Sequence, residues 1–251
     1  MPDSKTIALV TGASAGLGAE FCRQLAARCD VVIGVARRQD RLDALAAEIA
    51  GSAEFHALQA DLATVEGVSR TMEALRQRGP VTMLVNNAGV GSMGEFDSLA
   101  IESQRAMVSL HVDATMSLCR AAIPFMREQG GGEIVNVSSL GSLVEGKGMA
   151  VYGATKAFLN YFSLALQAEL AGTGIEVQAL CPGFTRTEFH DAMVSEGFDR
   201  DWIPESMWQT AEQVVEVSLA ALGSGRVIVV PGAANCAMAK SGLEQQLALL
   251  D

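Results

Sequence analysis

Nothing in this 251-residue chain approaches the roughly 20 consecutive apolar residues of a membrane-spanning helix, although 49% of its residues are hydrophobic. Charge, glycine or proline interrupts every long apolar run, so a soluble protein with no membrane partner is expected. The opening MPDSKT has no basic region leading into an apolar stretch, and no signal peptide is expected. The five cysteines (Cys22, Cys29, Cys119, Cys181 and Cys236) are odd in number and lack metal-ligand spacing. They argue against a disulfide framework or a metal site and for a reducing cytoplasm, with the thiols serving as small buried apolar groups. Positive charge is scarce as well: 18 Lys and Arg against 29 Asp and Glu leave a formal net charge of −11. Nucleic acids and anionic membranes reward clustered cations, so neither is an expected partner, although a single phosphate pocket stays compatible. Low-complexity linkers and short-period repeats are missing, and the length suits one α/β domain over residues 1–251.

What is present alternates. Short β-branched runs at 6–10, 31–35, 83–85, 133–137, 175–180 and 227–230, with a weaker one at 54–60, are mostly separated by alanine- and leucine-rich helical stretches. Repeated βαβ units of this kind predict a Rossmann-like, doubly wound parallel sheet of about seven strands with helices on both faces. Ligands of such sheets bind at the carboxyl ends of the strands.

The first strand ends in TGASAGLG, 11–18. Gly12, Gly16 and Gly18 permit a tight turn, and the following helix start offers free N–H groups and a positive dipole end to a pyrophosphate; a tight turn without ligand would read the same way. The spacing is GxxxGxG, not the dinucleotide fingerprint GxGxxG. Tyrosine is rare, with only Tyr152 and Tyr161, and Tyr152 stands four residues before Lys156 in YGATK. On a helix this spacing puts both on one face, where an ammonium lowers a phenol's pKa from its usual value near 10. Ser139 ends the strand-like GEIVNVSS thirteen residues earlier, where a parallel strand delivers its hydroxyl to the same cleft. Tyr161, amid Phe158, Leu159 and Phe162, reads as packing.

TGASAGLG, the Asp61-Leu62 pair, NNAG at 86–89, the serines at 138–139, YGATK at 152–156 and PGFTRT at 182–187 occur in an order and spacing that resembles the classical short-chain dehydrogenase/reductase family, over nearly the whole chain. The resemblance implies that Tyr152 exchanges a proton with the substrate oxygen, Ser139 hydrogen-bonds that oxygen, and Lys156 also holds the nicotinamide ribose, while Ser138 supports the turn. It implies dinucleotide contacts at Gly12, Ser14, Gly16, Leu17, Gly18, Asp61, Leu62, Asn87, Ala88, Gly89, Pro182, Gly183, Thr185 and Thr187. Asp61 by itself could equally be a helix cap, and PGFTRT a plain turn. Residues 184–208 match the family's substrate lid. Their Met193, Phe198, Trp202, Met207 and Trp208 suit either an apolar substrate or packing of the lid on its own domain.

Two positions qualify the resemblance. In SLHVDAT, His111 stands where the family places an asparagine that holds a proton-relay water; an imidazole there could hold the same water, and could also charge and give reduction an acid-side pH dependence, or else only the backbone carbonyl at 111 holds the water and the imidazole is packing or a polar group facing the pocket. After the second strand, Arg37 and Arg38 replace the acidic residue of NAD-preferring members, which predicts preference for NADP(H), chiefly through Arg37, with NAD(H) possible. The expected activity is hydride transfer to or from a carbonyl or secondary alcohol carbon of a small, partly apolar substrate. A 3-oxoacyl-thioester reductase and a non-catalytic dinucleotide redox sensor are the alternatives. A homodimer or homotetramer through helices near 100–128 and 150–171 is expected by analogy.

Overall fold

A computed structural model describes residues 5–78, 80–189, 199, 201 and 203–250. The chain runs β1 (Ile7–Thr11), α1 (Gly16–Ala26), β2 (Val31–Ala36), α2 (Gln39–Glu48), β3 (Glu54–Gln59), α3 (Val65–Gln77) and β4 (Met83–Asn86). It continues through α4 (Ile101–Val108), a π-helical turn at Ser109–Asp113, α5 (Ala114–Gln129), β5 (Gly132–Val137), α6 (Ala150–Glu169) and β6 (Ile175–Leu180). The short strands β7 (Thr185–Arg186) and β8 (Gln209–Thr210), α7 (Ala211–Ala221), β9 (Ile228–Val229) and α8 (Ala233–Leu247) complete it. The main sheet has seven parallel strands in the order β3-β2-β1-β4-β5-β6-β9. The expected doubly wound architecture is therefore the observed one.

Alternation along β1 shows why both faces must be covered. Side chains in a strand point to opposite faces in turn, so Ile7 and Leu9 enter one apolar cluster with Leu118 and Met126, while Ala8 and Val10 enter the other with Phe21 and Leu25. All five residues of β1 are buried. Strand order reverses between β1 and β4, where their carboxyl ends open a crevice.

That crevice is pinned by Thr11, the last residue of β1. Its hydroxyl donates to the Val85 carbonyl (3.3 Å) and accepts from the N–H groups of Asn87 and Ala88, both at 2.9 Å. The Asn87 amide donates back to the Thr11 carbonyl (2.9 Å). One strand further on, cross-strand partners Asn86 and Asn136 are joined by a side-chain bond of 2.8 Å, and Asn136 continues to Ser163 Oγ on α6 at 2.9 Å.

The paired strands β7 and β8 were not expected, because two residues are too short to show periodicity. They join the two ends of the segment foreseen as a lid, and Met193, Phe198 and Trp202 lie outside the described residues. Trp208 packs on Phe184 with ring centroids 5.6 Å apart and lies under the Arg186 guanidinium, which also pairs with Glu205. For Trp208, then, packing on its own domain is what the side chain does. Tyr161 is a correction in the opposite sense: it is 77% exposed. At about 100° per residue the inward stripe of α6 carries Tyr152, Lys156, Leu159 and Ser163, so Tyr161 faces outward.

Thr11→Val preserves shape while leaving the Asn87 and Ala88 N–H groups without their acceptor, and should cost about 1–3 kcal/mol in urea denaturation. A loss below about 0.5 kcal/mol, the range of an inconsequential surface change, would show that the hydroxyl does not hold β1 to β4.

Candidate active site

Tyr152 and Lys156 lie one turn apart on α6 and are both buried, and Ser139 follows β5 at the carboxyl edge of the sheet. The resulting cluster is tight. Burial pushes the Tyr152 phenol up to about 12, against the opposing pull of a hydrogen bond with the Ser139 side chain. The expected lowering by Lys156 is not what the structure gives: the ammonium sits 5.9 Å from the phenol ring centroid and donates instead to the Val137 carbonyl at 2.9 Å. Burial takes Lys156 itself down to about 8. Desolvation disfavours the charged form of each, so Tyr152 is held as the neutral phenol across the neutral range.

Supporting bonds fix the serine loop. Ser139 Oγ accepts from the Gly141 N–H (3.1 Å), and Ser138 Oγ donates to the Lys156 carbonyl (2.8 Å), so Ser138 ties the strand end to α6. Ser142 Oγ donates to the Ser139 carbonyl (2.5 Å) and accepts from Asn160 (2.7 Å), whose Oδ1 accepts from the Cys181 thiol (3.3 Å). Sequence reasoning missed this Ser142–Asn160–Cys181 chain. Asn160 at one turn beyond Lys156 was the only available signal.

The glycine turn meets the conditions for a pyrophosphate cradle. Gly12 and Gly16 have φ of +68° and +54°, a region that favours glycine, and a Cβ on Gly18 would stand 2.2 Å from the Gly12 carbonyl oxygen. No side chain caps the start of α1, which leaves its first N–H groups available to an anion. A Cβ at Gly89 would lie 3.0 Å from His111 Nε2 and 3.5 Å from Lys156 Nζ, so this glycine keeps the space between turn and lysine open. PGFTRT closes over the same turn, with Thr187 side-chain atoms 3.2 Å from the Cβ position of Gly16. Within it, Leu140 donates to the Pro182 carbonyl, Thr185 Oγ1 donates to Gly183, and Gly183 backs onto Asn235.

Residues 6–196 match the short chain dehydrogenase family. The chain belongs to the short-chain dehydrogenase family. It is 35% identical over 183 residues to a serine 3-dehydrogenase of Agrobacterium fabrum, covering 72% of each chain. To a probable NADP-dependent dehydrogenase of Haemophilus influenzae it is 33% identical over 193 residues, covering 74% of this chain and 76% of the relative. Its structure superimposes on a short-chain dehydrogenase from Sphingobium yanoikuyae in complex with NADPH, with a TM-score of 0.84, 33% identity, and coverage of 97% and 94% of the two chains. As a member of this family the protein is an oxidoreductase.

Other expected contacts of this short-chain dehydrogenase fall unevenly. Arg38 Nε and Nη2 reach Ser14 Oγ at 3.2 and 3.1 Å, whereas the exposed Arg37 guanidinium has no partner among the described residues. Asp61 Oδ1 accepts from the Ala63 N–H (3.0 Å), a turn-capping bond. The Leu62 side chain is buried in the same apolar cluster as Ala60 and Leu75, and the partly buried Leu17 and Ala88 pack against the apolar clusters. Among the described residues there is no group of three or more His, Cys, Asp and Glu able to hold a metal, and no helix long and apolar enough to cross a membrane.

Of the two readings of His111, the geometry favours the one in which the imidazole is packed and takes no part in a relay. It is buried within the π-helical turn, where Nε2 accepts from the Val90 N–H (3.0 Å) and Nδ1 lies 2.9 Å from Thr155 Oγ1. A backbone N–H can only donate, so Nε2 is the acceptor and the proton resides on Nδ1, which donates to Thr155; that hydroxyl donates in turn to the Tyr152 carbonyl at 2.8 Å. Neither nitrogen is left for a relay water. Burial, aided by the Lys156 charge, pushes His111 down to about 2, so it stays neutral over pH 5–9 and the acid-side switch expected of it is not supported. His111 positions Val90 and the backbone of α6 instead.

Two consequences can be measured together in His111→Asn. The acid limbs of kcat for the two proteins should superimpose over pH 5–9, because no imidazole titrates there; a displaced limb would restore the relay. The unfolded chain binds a proton at His111 below about 6.5 that the folded chain refuses, so this residue's stability contribution, complete above that pH, is lost as pH falls. Parent Tm should therefore drop more steeply between pH 7 and 5 than that of the variant.

Proposed function

We propose that this short-chain dehydrogenase interconverts a carbonyl and a secondary alcohol on a small, partly apolar substrate with NADP(H) as hydride carrier. The observation that carries the reading is the cluster of buried Tyr152 and Lys156 with half-buried Ser139 at the carboxyl edge of the sheet, beside a glycine turn whose Ser14 is held by Arg38. A bound nicotinamide dinucleotide would supply or accept hydride at the substrate carbon. In reduction, Tyr152 gives its phenolic proton to the substrate oxygen, which Ser139 holds by a hydrogen bond. Burial, which raises the Tyr152 pKa, keeps it the neutral phenol in the neutral range and so suits it as the donor. Lys156, anchored on the Val137 carbonyl and facing the space kept open by Gly89, would hold a ribose. Phe189, with its ring centroid 6.2 Å from that of Tyr152, and His111, at 6.0 Å, give the phenol aromatic neighbours that exclude water.

The cofactor reading draws on Arg37 and Arg38, a guanidinium pair suited to a 2′-phosphate, and on the NADPH-bound neighbour. Residues 1–251 would act as one domain, with 184–208 covering the substrate.

Stopped-flow and steady-state assays on a panel of ketones, aldehydes and alcohols with both cofactors test this reading. NADPH should give the higher kcat/KM, and Arg37→Ala should reduce the discrimination. Tyr152→Phe should retain dinucleotide affinity while hydride transfer falls by at least about 10²-fold, as expected for loss of a general acid. A Tyr152→Phe enzyme with near-parent turnover, or no turnover of any carbonyl by the parent, would remove the assignment.

We also propose a homodimer or homotetramer. Val108 and Met116 on α4 and α5, and Tyr161 and Leu164 on α6, are exposed apolar side chains on the helices expected to associate. Light scattering at micromolar concentration should report a dimer or tetramer, and Tyr161→Asp should lower that mass; a monomeric parent would contradict it.

A further inference from the structure

Two of the three arginines after β2, Arg38 and Arg41, are already engaged. Arg38 Nη1 lies 3.1 Å from Glu188 Oε2 while its Nε and Nη2 reach Ser14, and Arg41 Nη1 lies 3.6 Å from Glu188 Oε1. Glu188 follows Thr187 directly, so the approach of Thr187 to Gly16 brings this carboxylate to the glycine turn and to Arg38, from which it is 150 positions away in sequence. One carboxylate is thus bracketed by two guanidiniums beside the hydroxyl of Ser14. All three charged side chains are about half exposed, and such pairs contribute little to stability. Their effect on a ligand is larger in kind. A guanidinium engaged with a carboxylate must exchange that partner for a phosphate, and the two anions repel each other in a shared site. A ribose 2′-hydroxyl carries no charge, does not compete for the arginines, and can donate a hydrogen bond to the carboxylate.

We propose that Glu188 is a specificity-determining residue for the cofactor: its carboxylate competes with the nucleotide 2′-phosphate for Arg38 and Arg41, and so narrows the preference for NADP(H) over NAD(H). The proposal rests on the reading of the arginine cluster as a 2′-phosphate site. It makes this short-chain dehydrogenase less discriminating than its arginines alone would dictate.

Calorimetric titration separates the two claims. Adenosine 2′,5′-bisphosphate and 5′-AMP, which differ only in the 2′-phosphate, would be titrated into the parent, Glu188→Gln, the double variant Arg38→Ala/Arg41→Ala, and the triple variant, with NADPH and NADH run in parallel. Glu188→Gln should tighten the bisphosphate and NADPH by about 2–5-fold, the scale of an exposed ion pair, leave 5′-AMP and NADH unchanged or weaker, and lose its effect at high salt. In the background lacking both arginines the substitution should have a clearly smaller effect, limited to relief of the direct repulsion between the two anions. Equal shifts for both members of each pair, no shift, or an undiminished shift without the arginines would overturn the proposal. If the parent and the double arginine variant both bind the bisphosphate no better than 5′-AMP, the 2′-phosphate reading fails and takes this proposal with it. If the arginine variant loses a preference that Glu188→Gln leaves untouched, only the role of Glu188 is overturned.

Discussion

The hydroxyl of Thr11 is the contact on which the rest of the molecule is built. At the reversal of strand order, two parallel strands diverge at their carboxyl ends and leave backbone groups that no ladder bond can reach. Thr11 accepts two of those N–H groups and donates to a carbonyl, and the Asn87 amide closes the loop from the other side. Because the junction is satisfied internally, the glycine turn that follows β1 and the NNAG segment that follows β4 can lie against each other without a covering helix.

Desolvation then sets the chemistry of the cleft. Tyr152, Lys156 and His111 are all buried, and burial is the first cause of the shift in each: upward for the phenol, downward for the ammonium and the imidazole. All three are thereby moved toward their neutral forms. The outcome is a neutral phenol, an ammonium that titrates near 8, and an imidazole that does not charge in the working range. Local hydrogen bonding holds this arrangement: His111 to Thr155 to the Tyr152 carbonyl on one side, Ser138 to the Lys156 carbonyl on the other. The two nitrogens of His111 join the π-helical turn to the chain at Val90 and to α6 at Thr155.

The rim of the cleft follows a different rule. Arg38, Arg41 and Glu188 are about half exposed, so solvent screens their attractions and no large stability contribution arises from them. What remains to them is selectivity among charged ligands, where a weak competing pair is enough to change a ratio. The buried centre and the exposed rim thus divide the work between proton transfer and cofactor choice.

The seven-stranded parallel sheet was legible from the alternation of β-branched and helical stretches, since periodicity is a local property and β1 is apolar from Ile7 to Val10 and buried throughout. The proximity of Tyr152 and Lys156 was legible for the same reason: four residues on a helix share a face whatever surrounds them. Tyr161 was misread because its apolar neighbours in sequence do not define which side of α6 meets the core. The pairing of β7 with β8, the bond from Arg38 to Ser14, and the approach of Glu188 to both could not be read, because each joins residues distant in sequence through contacts that leave no periodic trace. The protonation states lay beyond the sequence for a related reason: a residue type fixes an ordinary pKa, but only the packed fold decides how much water each group loses, and at Tyr152 that loss outweighed the charge four residues away.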